Sequence, residues 1–193
     1  MQWKQIVTEG SPDTLAGSYT PDLVFSKQWL CAALNILCAQ QSLGTVCALG
    51  SWYGNIGVYL QQCDVNFDHL VLVELDAEKL EHGPRLMPDL WDQGRLSLCH
   101  CDAGELDYED LEHLTVINTS SNEMSPQWLD RVPPGTLVAI QGRNNTQSDV
   151  PTPTATLTEF DQQFELDRTL YVAAQDLRDP EVSYTRFMKI GYR

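Results

Sequence analysis

Residues 45–60, Thr-Val-Cys-Ala-Leu-Gly-Ser-Trp-Tyr-Gly-Asn-Ile-Gly-Val-Tyr-Leu, constrain the fold more than any other stretch of the chain. Thr45 to Leu49 is a short apolar run with small residues, the pattern of a strand buried on both faces of a parallel sheet. Gly50 breaks the run, and apolar side chains return beyond Gly54 at Ile56, Val58, Tyr59 and Leu60, as in a helix. A strand, a glycine turn and a helix in succession bring backbone N–H groups and a helix N-terminus to one point, where a ligand can be held.

The remaining chain supplies more units of this kind. Residues 1–22 are rich in Gly, Ser, Thr, Asp and Pro and are expected to form an arm, with one domain spanning residues 23–193. Pro21 and Asp22 open a helix whose apolar positions Leu23, Val24, Trp29, Leu30, Ala33, Leu34, Leu37 and Cys38 recur in steps of three and four. Strands are expected at 70–73 (closing on Glu74), 95–101, 114–117 and 136–140. Short helical pieces fall at 76–80, 106–111 (helix or turn), 126–129 and 157–164, and a loop covers 141–153. Phe164 to Ala173 and Ser183 to Tyr192, joined at Arg178-Asp179-Pro180, read as an antiparallel hairpin. The expected fold is α/β: a doubly wound, mostly parallel seven-stranded sheet closed by a C-terminal antiparallel hairpin.

Charge and cysteines exclude some functions. A formal net charge of −15 repels phosphate backbones and anionic lipid, so a small-molecule or protein partner is favoured over bulk nucleic acid or membrane. The six cysteines contain no C-x-x-C pair. Cys99 and Cys101 flank His100, but no second Cys/His pair stands at zinc spacing, so free thiols and no metal are expected. The N-terminus has no apolar leader, and the longest apolar stretch, Trp29 to Ala39, is too short to span a bilayer. A cytoplasmic location follows as the expectation.

Ligands of open parallel sheets bind outside the carboxyl ends of the strands. The residues there are Gly50-Ser51-Trp52, Glu74-Leu75, Asp102-Ala103, Asn118-Thr119-Ser120 and Gln141-Gly142-Arg143, mostly polar or glycine after apolar runs. Glu74 lies about 20 residues past the turn, where a carboxylate accepts hydrogen bonds from ribose hydroxyls. Over residues 24–193 this ordered set resembles the class I S-adenosylmethionine-dependent methyltransferase family. The Pro134-Gly135 turn before strand five and the closing hairpin fit the same pattern. The resemblance implies S-adenosyl-L-methionine as cofactor, with Gly50, Ser51, Trp52, Gly54 and Asn55 forming the loop around its amino-acid end. It further implies Glu74 and Leu75 at the ribose, Asp102 and Ala103 at the adenine, and Asn118 and Thr119 beyond strand four.

The family's loop reads acid-x-Gly-x-Gly-x-Gly, whereas here Ala48 stands at the acid and Trp52 at the middle glycine. A tryptophan there swings aside, covers the sulfonium by cation–π contact, or fills the pocket. The Asn/Asp-Pro-Pro-aromatic pattern of base-amino methyltransferases is missing: the chain has Asn118-Thr119-Ser120-Ser121. Asn118, as a hydrogen-bonding partner of an acceptor amine or hydroxyl, and Glu123, as a general base, are the candidate catalytic residues. Arg143 stands where it can meet an anionic group. Two other functions share this pattern. A non-catalytic protein can retain the fold, which Ala48 and Trp52 favour. An NAD-dependent oxidoreductase fits less well, since no Tyr has a Lys four residues on.

Overall fold

Thr45–Leu49 (β1) pairs in parallel with His69–Glu74 (β2) on one side and Leu114–Asn118 (β4) on the other. Leu96–His100 (β3) pairs in parallel with β2, and Leu137–Arg143 (β5) with β4. Arg168–Arg178 (β6) and Ser183–Tyr192 (β7) close the sheet antiparallel, giving the order β3-β2-β1-β4-β5-β7-β6. Crossovers thus run one way from β1 through β2 to β3 and the other way through β4 to β5. Between β1 and β4 the loops diverge, and a crevice opens at the carboxyl ends. The structure is a computed structural model and describes residues 15–39, 41–108, 111–144, 150–178 and 183–193.

Alternation along the strands feeds two cores. Val46, Ala48, Leu70, Leu72, Ile117 and Ala139 face one side, beneath helices Pro21–Leu37 (α1), Asn55–Gln62 (α2), Ala77–Leu80 (α3), Gly83–Leu86 (α4) and Pro88–Asp92 (α5). Cys47, Leu49, Val73, Val116, Val138 and Ile140 face the other, beneath Trp128–Arg131 (α6) and Leu157–Gln163 (α7). α1 starts as expected, with Pro21 at a position that needs no N–H and Asp22 in the first turn, where it favours the helix dipole. Pro84 and Pro88 each start a new short helix in place of one continuous one.

Three expectations change. The second layer is thinner than a doubly wound sheet suggests: short helices, with Leu106 and Tyr108 from a non-helical 102–108 segment, cover that face. β6 starts at Arg168, not at Phe164. Phe164 caps α7 and is fully buried against Phe160 (ring centroids 5.2 Å) and Trp128 (6.3 Å), so aromatic burial outweighs strand propensity there. The arm is partly structured, with a 3₁₀ turn at Ala16–Tyr19, while residues 1–14, Asn145 and Asp179-Pro180 lie outside the described residues.

α2 lies close to the sheet because Gly57 has no side chain. A Cβ there would stand 2.5 Å from Leu70 Cδ2 and closer still to Met87 Sδ. Overpacking of this kind costs ~1–3 kcal/mol, against a gain of ~1 kcal/mol in helix propensity. Gly57→Ala is therefore expected to destabilise the protein by about 1 kcal/mol, read as a lower urea midpoint. An unchanged or higher midpoint contradicts the close packing.

Candidate functional site

The turn after β1 alternates left-handed residues: φ is +55° at Gly50, +53° at Trp52 and +82° at Gly54. Trp52 thus takes a glycine's backbone conformation, at a cost of ~1–2 kcal/mol for a residue with a Cβ. Its compensation is visible. The Trp52 N–H donates to Glu74 Oε2 at 2.8 Å, and Ser51 N–H donates to the Val73 carbonyl at 3.0 Å. The Trp52 ring lies 5.2 Å from that of Tyr53, which meets His82 edge-on at 5.1 Å. Glu74 Oε1 accepts from the amides of Leu75 (2.9 Å) and Asp76 (3.2 Å), so one carboxylate holds three backbone N–H groups.

Beside this turn opens a cavity of about 1430 Å³, lined among others by Gly50, Trp52, Glu74, Leu75, Asp102 and Ala103. The tryptophan forms wall and leaves the space open. Leu75 is 66% exposed, an apolar face beside the Glu74 carboxylate. Asp102 is exposed, and its Oδ1 accepts the Gly104 N–H at 2.7 Å. Thr119 and Glu123 line the cavity from beyond β4.

Ser51, Gly54, Asn55 and Asn118 are not on its surface. Ser51, Gly54 and Asn55 are buried behind the turn, and Asn55 Nδ2 donates to the carbonyl (3.0 Å) and hydroxyl (2.6 Å) of Ser18, pinning the segment before α1. Asn118 is 0% exposed, accepts the Ser120 N–H at 2.9 Å and points Nδ2 at Met124 Sδ (3.1 Å). Register explains this. Asn118 pairs with Leu49 and so lies one residue inside the sheet, on the face of Leu49, whereas Glu74 is one residue past Val73, the partner of Leu49. Glu123 forms a 3.5 Å ion pair with Arg143.

The other half of the cavity holds residues that the sequence reading missed: Asp22 and Lys27 of α1, and Tyr184 and Arg186 of β7. Arg186 is 6% exposed. One of its terminal nitrogens donates to the Thr119 carbonyl, while Nε has no partner among the described residues. Burial pushes its guanidinium down to about 10. Lys27 keeps some surface, but burial of its ammonium, and next the Arg186 charge, push it down to about 7; Cys31 and Asp22 pull weakly the other way. The Tyr184 hydroxyl donates to Asp22 Oδ2 at 2.6 Å. A sequence signal existed: Arg186 shares a strand face with Met188 and Ile190, both buried against the α1 side.

All six cysteines are free thiols, and among the described residues no group of three or more His, Cys, Asp or Glu is placed to hold a metal. Burial and neighbouring Cys99 push the Cys101 thiol, on the cavity wall, up to about 12, so it stays protonated and a poor nucleophile. No helix among the described residues is long and apolar enough to cross a membrane.

This sheet order, with its crevice at the β1–β4 switch, is the class I S-adenosylmethionine-dependent methyltransferase fold. Among the solved structures that share it are three methyltransferases. One is the magnesium protoporphyrin IX methyltransferase of Synechocystis with bound SAM (TM-score 0.60, 11% identity, 98% of this chain and 89% of that one). The second is a SAM-dependent methyltransferase of Leishmania major (TM-score 0.62, 9% identity, 92% and 76%). The third is the tRNA methyltransferase TrmK of Bacillus subtilis (TM-score 0.54, 11% identity, 88% and 65%). No protein-family model and no curated protein matches the sequence.

Lys27 makes stability depend on pH. Between about pH 7 and the ordinary lysine value of 10.5, the unfolded chain holds a proton that the folded chain has released, so this group's contribution rises with pH across that window. Below pH 7 the folded chain carries the buried charge at full cost. Lys27→Met is expected to melt higher than wild type at pH 6, with the difference shrinking by pH 9.5. A difference that does not change between the two buffers contradicts the depressed ammonium.

Proposed function

We propose that the protein is an S-adenosylmethionine-dependent methyltransferase. The observation that carries this reading is the placement of Glu74, Asp102 and the β1 turn around one cavity large enough for a nucleoside and an acceptor. Glu74 accepts hydrogen bonds from the ribose hydroxyls through lone pairs its three amides leave free. Asp102 accepts from the adenine amino group beside Ala103, and Leu75 packs on the ring. Gly50 gives backbone room for the amino-acid end near Thr119, and Trp52 faces the sulfonium. Ser51, Gly54 and Asn55 shape the turn from behind.

S-adenosylmethionine, when bound, supplies an electrophilic methyl group. The chain's own contribution is chiefly to hold an acceptor atom in line with it and to exclude water. Asn118 acts indirectly, fixing Ser120 and Met124 of the wall. Glu123 serves as base for a protonated acceptor once the acceptor displaces Arg143. The acceptor is a small molecule or a protein site, not bulk nucleic acid, given the charge of −15. Six free thiols suit a cytoplasmic location. A second reading, binding without turnover, is favoured by the engagement of both Asn118 and Glu123 in internal contacts.

Calorimetric titration with S-adenosylmethionine, S-adenosylhomocysteine and NAD tests this. Micromolar binding of the first two and no heat from NAD are expected. Glu74→Ala and Asp102→Ala should each weaken S-adenosylhomocysteine by about tenfold or more, the worth of a hydrogen bond to a charged group. Silence with both nucleosides overturns the proposal. Tight binding with no methyl transferred to any acceptor offered supports the second reading.

A further inference from the structure

We propose that Lys27 and Arg186 form an anion-binding subsite in the half of the cavity opposite Glu74 and Asp102, and that it takes a carboxylate or phosphate on the acceptor molecule. Four basic side chains line the cavity. Lys79 has Asp76 at 3.0 Å and Arg143 has Glu123 at 3.5 Å. Among the described residues Lys27 and Arg186 have no ion-pair partner, no hydrogen bond joins the Lys27 ammonium to another residue, and Arg186 Nε is buried with an N–H to donate. By contrast Lys189, on the opposite face of the same strand, is as deeply buried but answered by Asp161 at 2.6 Å.

Asp22, whose charge acts on both Lys27 and Arg186, accepts the Tyr184 O–H at Oδ2. Two cations against one carboxylate leave a surplus positive charge whenever Lys27 is protonated. Buried charge without a partner is expensive, and a ligand oxyanion supplies the missing partner. Arg186 is fixed by the Thr119 carbonyl, so its Nε is preorganised and Lys27 closes on the anion from α1. The pair sits over β4, β5 and β7, past the switch point, while the proposed nucleoside contacts sit on β1, β2 and β3. Arg143, Glu123 and Tyr184 border it, and Asp22 and Cys31 are the other groups acting on Lys27. Because Lys27 deprotonates near neutrality, anion binding is tighter at pH 6.5 than at pH 8.5. The assignment of the anion to the acceptor rests on the transferase reading; the subsite itself does not.

Benzoate and phenyl phosphate, a matched carboxylate and phosphate, are titrated onto the protein alone and onto protein saturated with S-adenosylhomocysteine. Saturable one-to-one binding of at least one probe to both forms is expected, and the tighter probe names the group. Lys27→Gln, which removes no hydrogen bond or ion pair among the described residues, should weaken it by at least about tenfold. Arg85→Gln, an exposed charge away from the cavity, should leave it within about twofold. No saturable binding of either probe, or Lys27→Gln as tight as wild type, overturns the subsite even where S-adenosylhomocysteine binds. Competition between probe and S-adenosylhomocysteine overturns the acceptor assignment, placing the cofactor's own carboxylate at Lys27. Probe binding that depends on Lys27, with no S-adenosylhomocysteine binding, sustains the subsite and overturns the transferase reading.

Discussion

One carboxylate decides the geometry on which the ligand-facing edge depends. Glu74 receives N–H groups from Trp52, Leu75 and Asp76, each a charge-assisted bond of roughly 1.5–3 kcal/mol. Together they outweigh the ~1–2 kcal/mol that Trp52 costs in a left-handed conformation, and so the turn keeps a glycine's path with a tryptophan in it. Parallel pairing puts the acid within reach. Leu49, the last residue of β1, lies opposite Val73, so Glu74, the last residue of β2, is level with the turn beyond β1. Ala48, at the position usually acidic in the family, is buried between Leu72 and Ile117 on neighbouring strands; an acid there would be desolvated with no partner shown. Glu74 orients the loop through the three backbone N–H groups it accepts.

Register also separates residues that lie side by side in a sequence reading. Strand ends all looked equivalent: an apolar run followed by something polar. A one-residue difference in where a strand stops reverses the face on which its last side chain lies. Glu74 falls at the crevice and Asn118 falls on the face of Leu49, under Met124. The same argument accounts for Thr119, the next residue, which reaches the cavity and whose carbonyl anchors Arg186. Asn118 therefore governs the shape of the wall, and the residues after it supply the surface.

What was legible in the chain was what local pattern controls. The parallel strands, α1 from Pro21 and the closing hairpin follow from period and from breakers; Glu74 stands out by its distance beyond the turn and Asp102 by ending the next strand, and both line the cavity. Phe164 was misplaced because its partners, Phe160 and Trp128, are brought to it by tertiary packing that no local window contains. Lys27 and Arg186 were missed for a related reason. They are 159 positions apart in the sequence (186 − 27), and each reads singly as a solvated charge. Only the pairing of β7 beside β5, with α1 laid over that face, makes them neighbours.

The two halves of the cavity consequently differ in chemistry, with carboxylates at the β2 and β3 ends and cations beneath α1 and β7. A chain carrying −15 overall repels an approaching anion, yet that repulsion is screened beyond about 8 Å at physiological ionic strength. Inside the cavity, screening is weaker and the nearest charges dominate. For the proposed anionic acceptor, added salt would therefore act in opposite senses at the two scales, easing its approach to the surface while weakening its hold on Lys27 and Arg186 only modestly. On the proposed reading, an acidic exterior disfavours polyanions, whose many charges stay outside the cavity, more than a small molecule whose single anionic group reaches the pair. A net charge of −15 and the proposed small-anion subsite are thus compatible in one chain, because they act at different distances from the sheet edge.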